Sequence, residues 1–473
     1  MSENKRGSTA LAMKAGLWYV VSTFLLRSIA FITTPIFTRL MSTGTYGEFS
    51  NYANWQVILM VIVGFELYNT LPRAYYDFKD NYDEYVSTVT IAECLLAGIC
   101  YSVFIAFKDT LLSVVSIPEQ FIHIMFITIM CSSLKTVFMT RERTLYRYKT
   151  VAMISAVDVI ISTLISVALV YFSDESLRLG ARIYGQYVPS AVIGFICAIV
   201  LIKKGKCFKI EHIKYAIVLA FPLMIHYLTG SLLTTTNVII AKSISGAEVA
   251  AMISIGVSVT HIVTMLFQAV SGAVTTWIMD NLAQGNSEKL KKEIAIYIIG
   301  LASVSVGVIL LAPEVIMILG GSKYADAIMI IQGLILGTFI QSVTTVFTII
   351  LTYDKNVGKV AIYTGIVSVI SVVAKIVLLP ILGIQSLPYT NVVAFVVLFV
   401  ICYILVAKAG YKDVVDLKVY IAIIGAVVLL TIGSYFLYGN IIMRYAVILA
   451  ILVASLFVVY KNIKLITKII LKK

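Results

Sequence analysis

The chain has 473 residues, of which 60% are hydrophobic and only 13% are charged, and its formal net charge is +13. A soluble domain averages about 25% charged residues, so this chain lacks the charge to cover a water-facing surface of its length. These numbers exclude a soluble globular protein and indicate a polytopic membrane protein.

Fourteen apolar segments follow one another along the chain. Their length of about 20 residues or more suits helices that cross a ~30 Å hydrocarbon core, and no alternation typical of barrel strands appears. The connections are short, and no soluble domain is inserted. The sequence therefore predicts an all-α integral membrane protein with about 14 transmembrane helices. The segments are 15–38, 48–71, 85–107, 120–140, 150–172, 180–202, 214–241, 248–279, 290–312, 325–352, 358–382, 386–407, 417–438 and 441–460.

Lysine and arginine are distributed unevenly between the two ends of these segments. With the N-terminus placed inside, 27 of the 37 basic residues fall on the inner side, seven on the outer side, and Arg27, Lys135 and Lys375 within spans. Because cytoplasmic loops carry the basic excess, both termini and the basic tail are expected in the cytoplasm. The excess therefore indicates topology and contact with anionic membrane lipids, and no nucleic acid is expected as a partner.

Motifs that would carry catalysis or hold a cofactor do not occur in the sequence. The six cysteines form no CxxC pair, so neither a metal site nor a disulfide framework is indicated. There is no HExxH, no phosphate-binding loop and no glycine-rich nucleotide fingerprint. We therefore expect no catalytic residues, no metal, no cofactor and no enzyme activity. The N-terminus lacks a cleavage site, so the first segment is expected to be a retained helix.

Two stretches of the chain resemble each other. CSSLKTVFMT (131–140) and IQSVTTVFTI (340–349) share four residues at an offset of 209, and nearer the start the offset is about 203. Chance similarity between apolar helices is one explanation. The other is two six-helix halves, which would be parallel repeats with a site between them, because six spans is an even number. The expected domains are 1–212 with helices 1–6, 213–410 with helices 7–12, and 411–473 with helices 13–14 and the basic cytoplasmic tail.

A motif at the end of the first span resembles a known transporter group. The stretch TPIFTRLMSTGTYGEFSNYANW is similar to polysaccharide and lipid-linked oligosaccharide flippases. These belong to the multidrug/oligosaccharidyl-lipid/polysaccharide exporter superfamily, which also holds the multidrug and toxic-compound extrusion (MATE) transporters. The similar elements include Ser42 and Tyr46-Gly47. Family members often carry an acid before the aromatic–glycine pair, whereas this chain has Thr45 there and Glu48 as the nearest acid. The resemblance extends over spans 1–12 and implies two MATE-like lobes.

The resemblance implies that spans 1 and 7 line a central cavity. On span 1, Thr23, Arg27 and Thr34 fall along one helical stripe, and on span 7, His226 and Asn237 fall along a matching one. Two polar stripes at matching places suggest a hydrated crevice. We therefore expect these five residues to contact substrate, although a lone histidine within a helix can also be a hydrogen-bonded structural residue.

Arg27 most needs an explanation, because it lies about twelve residues from either end of span 1. An arginine at the bilayer centre costs at least about 2.5–3.5 kcal/mol. It is either a cavity cation that binds an anionic group or the structural partner of Glu66 or Glu93. Glu66, near the inner end of span 2, can also form a gate or interface pair. The deep Glu93 must either pair with a cation or titrate during transport.

Lys135, Asp158 and Lys375 also have more than one interpretation each. Lys135 is a candidate substrate-binding residue that faces the cavity, but it can also extend its long stem to the inner interface or pair with Asp158 on span 5. Asp158 is then either a charge partner or a coupling residue. Lys375 ends a stripe of hydroxyl side chains on span 11, which indicates either an aqueous, substrate-binding face or an outward-snorkelling side chain.

The leading functional hypothesis is a flippase of the bacterial cytoplasmic (inner) membrane. The resemblance implies alternating-access transport of an undecaprenyl-pyrophosphate-type lipid-linked glycan, a repeat unit of cell-surface polysaccharide such as the O-antigen of lipopolysaccharide. Arg27 would bind the diphosphate, because arginine suits bidentate phosphate contacts. Polysaccharide polymerase and chain-length proteins are the expected protein partners. Two alternatives stay open: a MATE-type cation-coupled drug antiporter, and a non-transporting scaffold of a polysaccharide assembly complex.

Overall fold

Helices make up the regular structure of the part of the chain that is described. The structure, a computed structural model, describes residues 29 and 31–461. These residues form α-helices and short 3-10 segments and no strand, which confirms the predicted all-α fold. The helices are α1 (31–40), α2 (Thr43–Gly64), α3 (Leu71–Asp77), α4 (Tyr82–Ala106), α5 (Lys108–Val115), α6 (Glu119–Thr144), α7 (Tyr148–Phe172), α8 (Arg178–Gly205), α9 (Ile210–Ser245), α10 (Ala247–Ala283), α11 (Ser287–Leu310), α12 (Ala312–Leu319), α13 (Ile328–Tyr353), α14 (Val357–Leu382), α15 (Ser386–Lys408), α16 (Leu417–Leu437) and α17 (Ile441–Lys461).

Most of the predicted spans correspond to these helices. Eleven described helices are long and apolar enough to cross a membrane, and the bent pair of α2 and α3 adds a twelfth. These twelve match predicted spans 2–13 one for one. Predicted span 14 falls on α17, whose apolar part is shorter, and most of predicted span 1 lies outside the described residues. The total of fourteen and the cytoplasmic position of both termini therefore stay predictions.

The helix boundaries repeat along the chain with offsets close to those found in the sequence. The short helices α5 and α12, which hydropathy had assigned to connections, begin 204 residues apart. The next helices, α6 and α13, begin 209 residues apart, as do α7 and α14. The offset rises from 204 to 209 because the connection 320–327, which contains a 3-10 segment, is longer than the connection 116–118. One helical arrangement therefore occurs twice, while the predicted limits at 212 and 410 stay predictions.

Contacts between residues divide the chain into two compact units, Met1–Ala251 and Met252–Lys473. In the first unit, α3, α4, α6, α8 and α9 contribute to a common core. Leu71, Tyr85 and Val137 are fully buried there. Lipid is as apolar as these side chains, so close packing and interhelical hydrogen bonds hold such helices together.

The helix α13 is the central element of the second unit. Most of its residues are buried, and it packs against α11, α15 and α16. Polar contacts attach the last two helices to the same unit. Gln332 Nε2 donates a hydrogen bond to Ser434 Oγ of α16 at 2.8 Å, and Arg444 of α17 forms an ion pair with Glu314 of α12.

The start of α2 packs tightly against the corner between α9 and α10. Ser42 caps α2 by accepting a hydrogen bond from the backbone of the first turn. A Cβ atom placed on Gly47 would lie 1.7 Å from the carbonyl oxygen of Ala247. Glu48 forms an ion pair with Lys242 at the end of α9. The serine and glycine of the family-like motif thus serve helix capping and close packing.

Replacing Gly47 tests this close approach. We expect Gly47→Ala to lower the unfolding temperature of the purified protein, because an extra methyl group forces α2 away from α10 at a cost of about 1–3 kcal/mol. Gly44→Ala is the matched control on the same helix, since nothing lies within 4 Å of the place that its new methyl group would occupy. Alanine favours helix by roughly 1 kcal/mol over glycine, so the control should be neutral or stabilising. Equal unfolding temperatures for the two variants would contradict the packing described.

Candidate functional site

Two residues of the predicted anion-binding stripe lie outside the described residues. Arg27 and Thr23 belong to residues 1–28, so their contact with substrate stays a prediction. Thr34, the third member of the stripe, lies on α1 and is half-buried. The other predicted site residues all lie in the described part of the chain, and their surroundings define the candidate site.

Lys135 of α6 is held between α7 and α8. Its Nζ lies 2.6 Å from Asp158 Oδ2 and 2.5 Å from Ser190 Oγ. The two charged side chains are only 17% and 16% exposed. An ammonium and a carboxylate in such contact compensate each other's charge, which offsets the cost of removing each from water. The geometry therefore corresponds to the paired interpretation of Lys135.

The second span breaks at Phe65 and Glu66. Both residues have left-handed backbone, with φ of 51° and 56°, and α2 and α3 meet at a bend of 54°. Such a backbone conformation costs of order 1–3 kcal/mol per residue and persists only where the surrounding structure enforces it. Asn69 Nδ2 donates a hydrogen bond to Glu66 Oε2 at 2.6 Å across the break. In the second half, the corresponding helix α10 is continuous.

A second buried carboxyl group lies near this break. Glu93 of α4 is 1% exposed and Glu66 is 5% exposed. Ser133 Oγ lies 2.6 Å from Glu93 Oε2, whereas Glu93 Oε1 is buried without a hydrogen-bond partner. Ser133 also packs against Gly64, the last residue of α2. Among the described residues, no lysine, arginine or histidine forms an ion pair with either carboxyl group.

The predicted residues of span 7 have different surroundings on α9. His226 is exposed, and its ring packs edge-on against Tyr227 at 5.6 Å between centroids. Gly230, one turn later, has open space where a side chain would lie. Asn237 is 1% exposed, and its Oδ1 is buried without a hydrogen-bond partner. The stripe therefore has an accessible part around His226 and a buried part at Asn237.

Lys375 of α14 lies inside the protein. Its side chain is fully buried, and Ser371, one turn earlier, is 3% exposed. Ser368 Oγ donates a hydrogen bond to the Thr364 carbonyl oxygen at 2.6 Å. The amine of Lys375 thus does not snorkel to the protein surface in this arrangement.

Arg182 lies near the start of predicted span 6 and joins several helices. Its guanidinium lies 3.5 Å from the ring centroid of Phe37 and 4.4 Å from that of Phe49. Its Nη1 donates to Ser166 Oγ at 2.7 Å and Gln186 Oε1 at 2.9 Å. Cation–π contacts of this kind stabilise by about 0.5–2 kcal/mol. The partners on α1 and α2 are far away in sequence, so no local pattern could have identified them.

Ion pairs also join the start of α4 to the end of α6 and to the start of α9. Arg141 Nε and Nη2 lie 2.8 Å and 2.6 Å from Asp83 Oδ1, and Arg141 also pairs with Glu142. Lys209 Nζ lies 2.5 Å from Glu84 Oε2, and this hydrogen bond raises the pKa of Lys209. From the sequence alone, these basic residues indicate only topology. The adjacent opposite charges in RERTLYR (141–147) are the signal in the sequence that could have indicated the pair of Arg141 and Glu142.

The first unit therefore holds two kinds of buried ionisable group. Lys135 and Asp158 form a compensated pair, whereas Glu66 and Glu93 form an acidic pair without a cation among the described residues. Within residues 29 and 31–461, no group of three or more histidine, cysteine, aspartate or glutamate side chains is placed to hold a metal ion. Buried carboxyl groups of this kind can bind protons or respond to a cationic group.

Comparison with known proteins gives one family match. The family model described as "Polysaccharide biosynthesis protein" matches residues 12–281, which is more than half of the chain. No curated protein matches the sequence.

Several solved structures share the fold. The lipid II flippase MurJ in an inward closed conformation is 14% identical, with 91% of this chain and 99% of that chain covered and a TM-score of 0.65. An inward-facing multidrug resistance MATE transporter of the MOP superfamily is 15% identical, with 81% and 94% covered and a TM-score of 0.60. A MOP superfamily transporter from Pyrococcus furiosus, described by the reverse polarity of its binding pocket, is 15% identical, with 84% of this chain and 96% of that chain covered and a TM-score of 0.53. These likenesses confirm the MATE-like fold.

Breaking the Lys135–Asp158 pair should destabilise the first unit. We expect Lys135→Ala to lower the unfolding temperature, because Asp158 is then left buried without its partner, at a cost of about 1–3 kcal/mol or more. The double variant Lys135→Ala/Asp158→Ala should lose less than the two single variants together, because no charge is left uncompensated. Lys203→Ala, at an exposed lysine, serves as the control. Additive losses in thermal unfolding would show that the two side chains do not interact.

Proposed function

The chain belongs to the polysaccharide biosynthesis protein family, and on that basis we propose that it is a flippase for a lipid-linked oligosaccharide. The proposed substrate is an isoprenoid-pyrophosphate-linked repeat unit of a cell-surface polysaccharide, such as that of an O-antigen in lipopolysaccharide. The proposed location is the bacterial cytoplasmic membrane. A polysaccharide polymerase and chain-length proteins would receive the translocated unit.

One observation carries the proposal: a member of a polysaccharide biosynthesis family consists of membrane helices throughout its described part. The connections 320–327 and 409–416 are among its longest, and neither contains more than a 3-10 segment. A glycosyltransferase or polymerase would usually need a sizeable loop with catalytic acids. Movement of a lipid-linked intermediate is a step in polysaccharide assembly that needs only membrane helices. The fold shared with a lipid II flippase also supports this assignment.

The substrate has three parts that different side chains would bind. Arg27, with Thr23 and Thr34, is proposed to bind the diphosphate, since a guanidinium can make two parallel hydrogen bonds to phosphate oxygens. His226 is proposed to contact the glycan, in keeping with its exposed position on α9. The isoprenoid tail would stay in lipid.

The buried polar residues are proposed to act after a conformational change. In the arrangement described, Asn237 and Lys375 are buried and Lys135 is engaged by Asp158. Their contact with substrate would therefore require the helices around them to separate, as alternating access demands. Glu66, Glu93 and Asp158 are the proposed charge-pair or coupling residues. An inside-negative membrane potential would favour outward movement of an anionic substrate by about 2.3 kcal/mol per charge per 100 mV.

A cation-coupled drug antiporter of the MATE type is the second candidate. The buried carboxyl groups of Glu66 and Glu93 favour it, because neither has an ion-pair partner among the described residues and such groups are suited to binding a cation or proton. The charge of the transported molecule distinguishes the two candidates. A flippase for a diphosphate requires Arg27 at its binding site, whereas a cationic drug would be repelled by it.

Export of defined lipid-linked glycans tests the proposal. The gene would be expressed in bacterial cells that lack their own flippases, and surface polysaccharide would be measured. We expect the wild-type protein to restore export, Arg27→Ala to abolish it, and Arg27→Lys to restore it only in part, because an ammonium lacks the bidentate geometry. Arg39→Ala is the control, because Arg39 is exposed and bonds to a carbonyl oxygen of its own helix.

The outcomes separate the candidates. Full export by Arg27→Ala at wild-type protein levels would exclude Arg27 as the diphosphate-binding group. Failure of the wild-type protein with every glycan, together with extrusion of cationic dyes that depends on Glu66 or Glu93, would support the antiporter. Export that requires the protein but tolerates every substitution would point to a scaffold.

A further inference from the structure

We propose that Glu93 is a proton-binding site of the first unit and holds its proton as an uncharged carboxylic acid in the arrangement described. The ligand of this site is the proton itself. Whether Glu93 carries a proton does not depend on which substrate the protein transports.

The first step concerns charge. Glu93 is 1% exposed, and none of the described basic residues forms an ion pair with it. An ionised carboxylate without water or a counter-ion is among the costliest groups to bury, and such a group becomes neutral instead. Protonation of the Glu93 carboxyl group removes most of the free-energy cost of burying it.

The second step concerns hydrogen bonds. Glu93 Oε1 is buried with no hydrogen-bond partner among the described residues, although a carboxylate normally accepts hydrogen bonds at both oxygens. The contact of Oε2 with Ser133 Oγ measures 2.6 Å. A hydroxyl can accept as well as donate, so this contact fits an acid O–H that donates to Ser133. The orphaned oxygen is then the carbonyl oxygen of a neutral acid, for which burial is far less unfavourable.

Other titratable groups lie around Glu93 in the described part of the chain. Glu66 at the break of span 2 and Cys94, the next residue of α4, interact with Glu93, and Cys131 on α6 interacts with Cys94. Tyr68 and, on α9, Tyr227 lie near Glu66. None of these groups is cationic. An ionised Glu66 would repel a second negative charge, so the surroundings favour the neutral form of Glu93.

The fourth step distinguishes a proton from a metal ion. Hard cations such as calcium and magnesium take about six or more oxygen ligands. Besides its own oxygens, Glu93 has only Ser133 as a described hydrogen-bonding oxygen donor, and no metal-binding group of three acidic, histidine or cysteine side chains occurs among the described residues. A proton needs a single oxygen, so it is the cation that this environment accommodates.

Release of the proton would change the packing around the break of span 2. It would leave Glu93 negative beside Glu66, and the proton would pass to water that enters between α2, α4 and α6. Ser133 packs against Gly64 next to the strained residues Phe65 and Glu66, so a shift of Ser133 would reach the bend. That this change drives turnover rests on the proposed function, whereas the presence of the proton does not.

Infrared difference spectroscopy tests the proposal on the purified full-length protein. The protein would be held at pH 7 in a detergent without ester or carboxyl groups. The spectrum of wild type minus Glu93→Gln should contain the C=O stretch of a protonated carboxylic acid, because the variant removes it. A glutamate in water has lost its proton well below this pH, at about 4.3. Glu48→Gln, at a carboxylate paired with Lys242, is the matched control and should remove carboxylate bands instead.

A second variant keeps the test decisive if Glu93→Gln folds poorly. Ser133→Ala removes the hydrogen-bond partner and should shift the same acid band to higher frequency. Glutamine is a neutral isostere of the acid, so Glu93→Gln is also expected to keep the wild-type unfolding temperature. Loss of carboxylate bands in Glu93→Gln, or an acid band that neither substitution changes, would overturn the proposal. Because these spectra need no transport, failure of the flippase assignment leaves their outcome unaffected.

Discussion

An ionisable side chain inside a bilayer must either be compensated by an opposite charge or lose its own charge. This constraint determines how the polar residues of the chain are arranged. Lys135 and Asp158 compensate each other across α6 and α7, and Arg444 is paired across α12 and α17. Arg182 lies over two aromatic rings instead. Glu93 has no such partner among the described residues, and for this reason we propose that its carboxyl group carries a proton.

The two halves of the chain repeat their helices without repeating their charges. At the offset of 209, Lys135 corresponds to Thr344 and Asp158 to Val367, while Lys375 corresponds to Ser166. The break at Glu66 also has no counterpart in the continuous helix α10. The two halves thus repeat the order of their helices but differ in their buried charged residues.

The sequence predicted the helices well because a bilayer leaves the backbone few alternatives. Every polar backbone group in hydrocarbon must be bonded within its own helix or barrel, so a long apolar segment is read directly as a helix. The pairing of Lys135 with Asp158 could be named as one of two possibilities, since consecutive spans are often neighbours.

Other features depend on tertiary contacts that no local pattern contains. The break at Phe65 and Glu66 has no glycine or proline at its two left-handed residues and is enforced by Asn69 and by packing around Ser133. The short helices α5 and α12 were missed because eight residues give too little hydropathy signal. Arg27, the residue with the strongest functional argument from sequence, lies outside the described residues.

Reconstitution of the purified protein in liposomes tests the central claim most directly. An isoprenoid-pyrophosphate-linked oligosaccharide would be placed in both leaflets, and the fraction open to an externally added glycosidase would be followed with time. The account predicts that the protein makes the inner pool accessible within the assay and that a potential negative on the side of departure accelerates it. Accessibility that stays at the level of protein-free liposomes, under either potential and with correctly folded protein, would contradict the account.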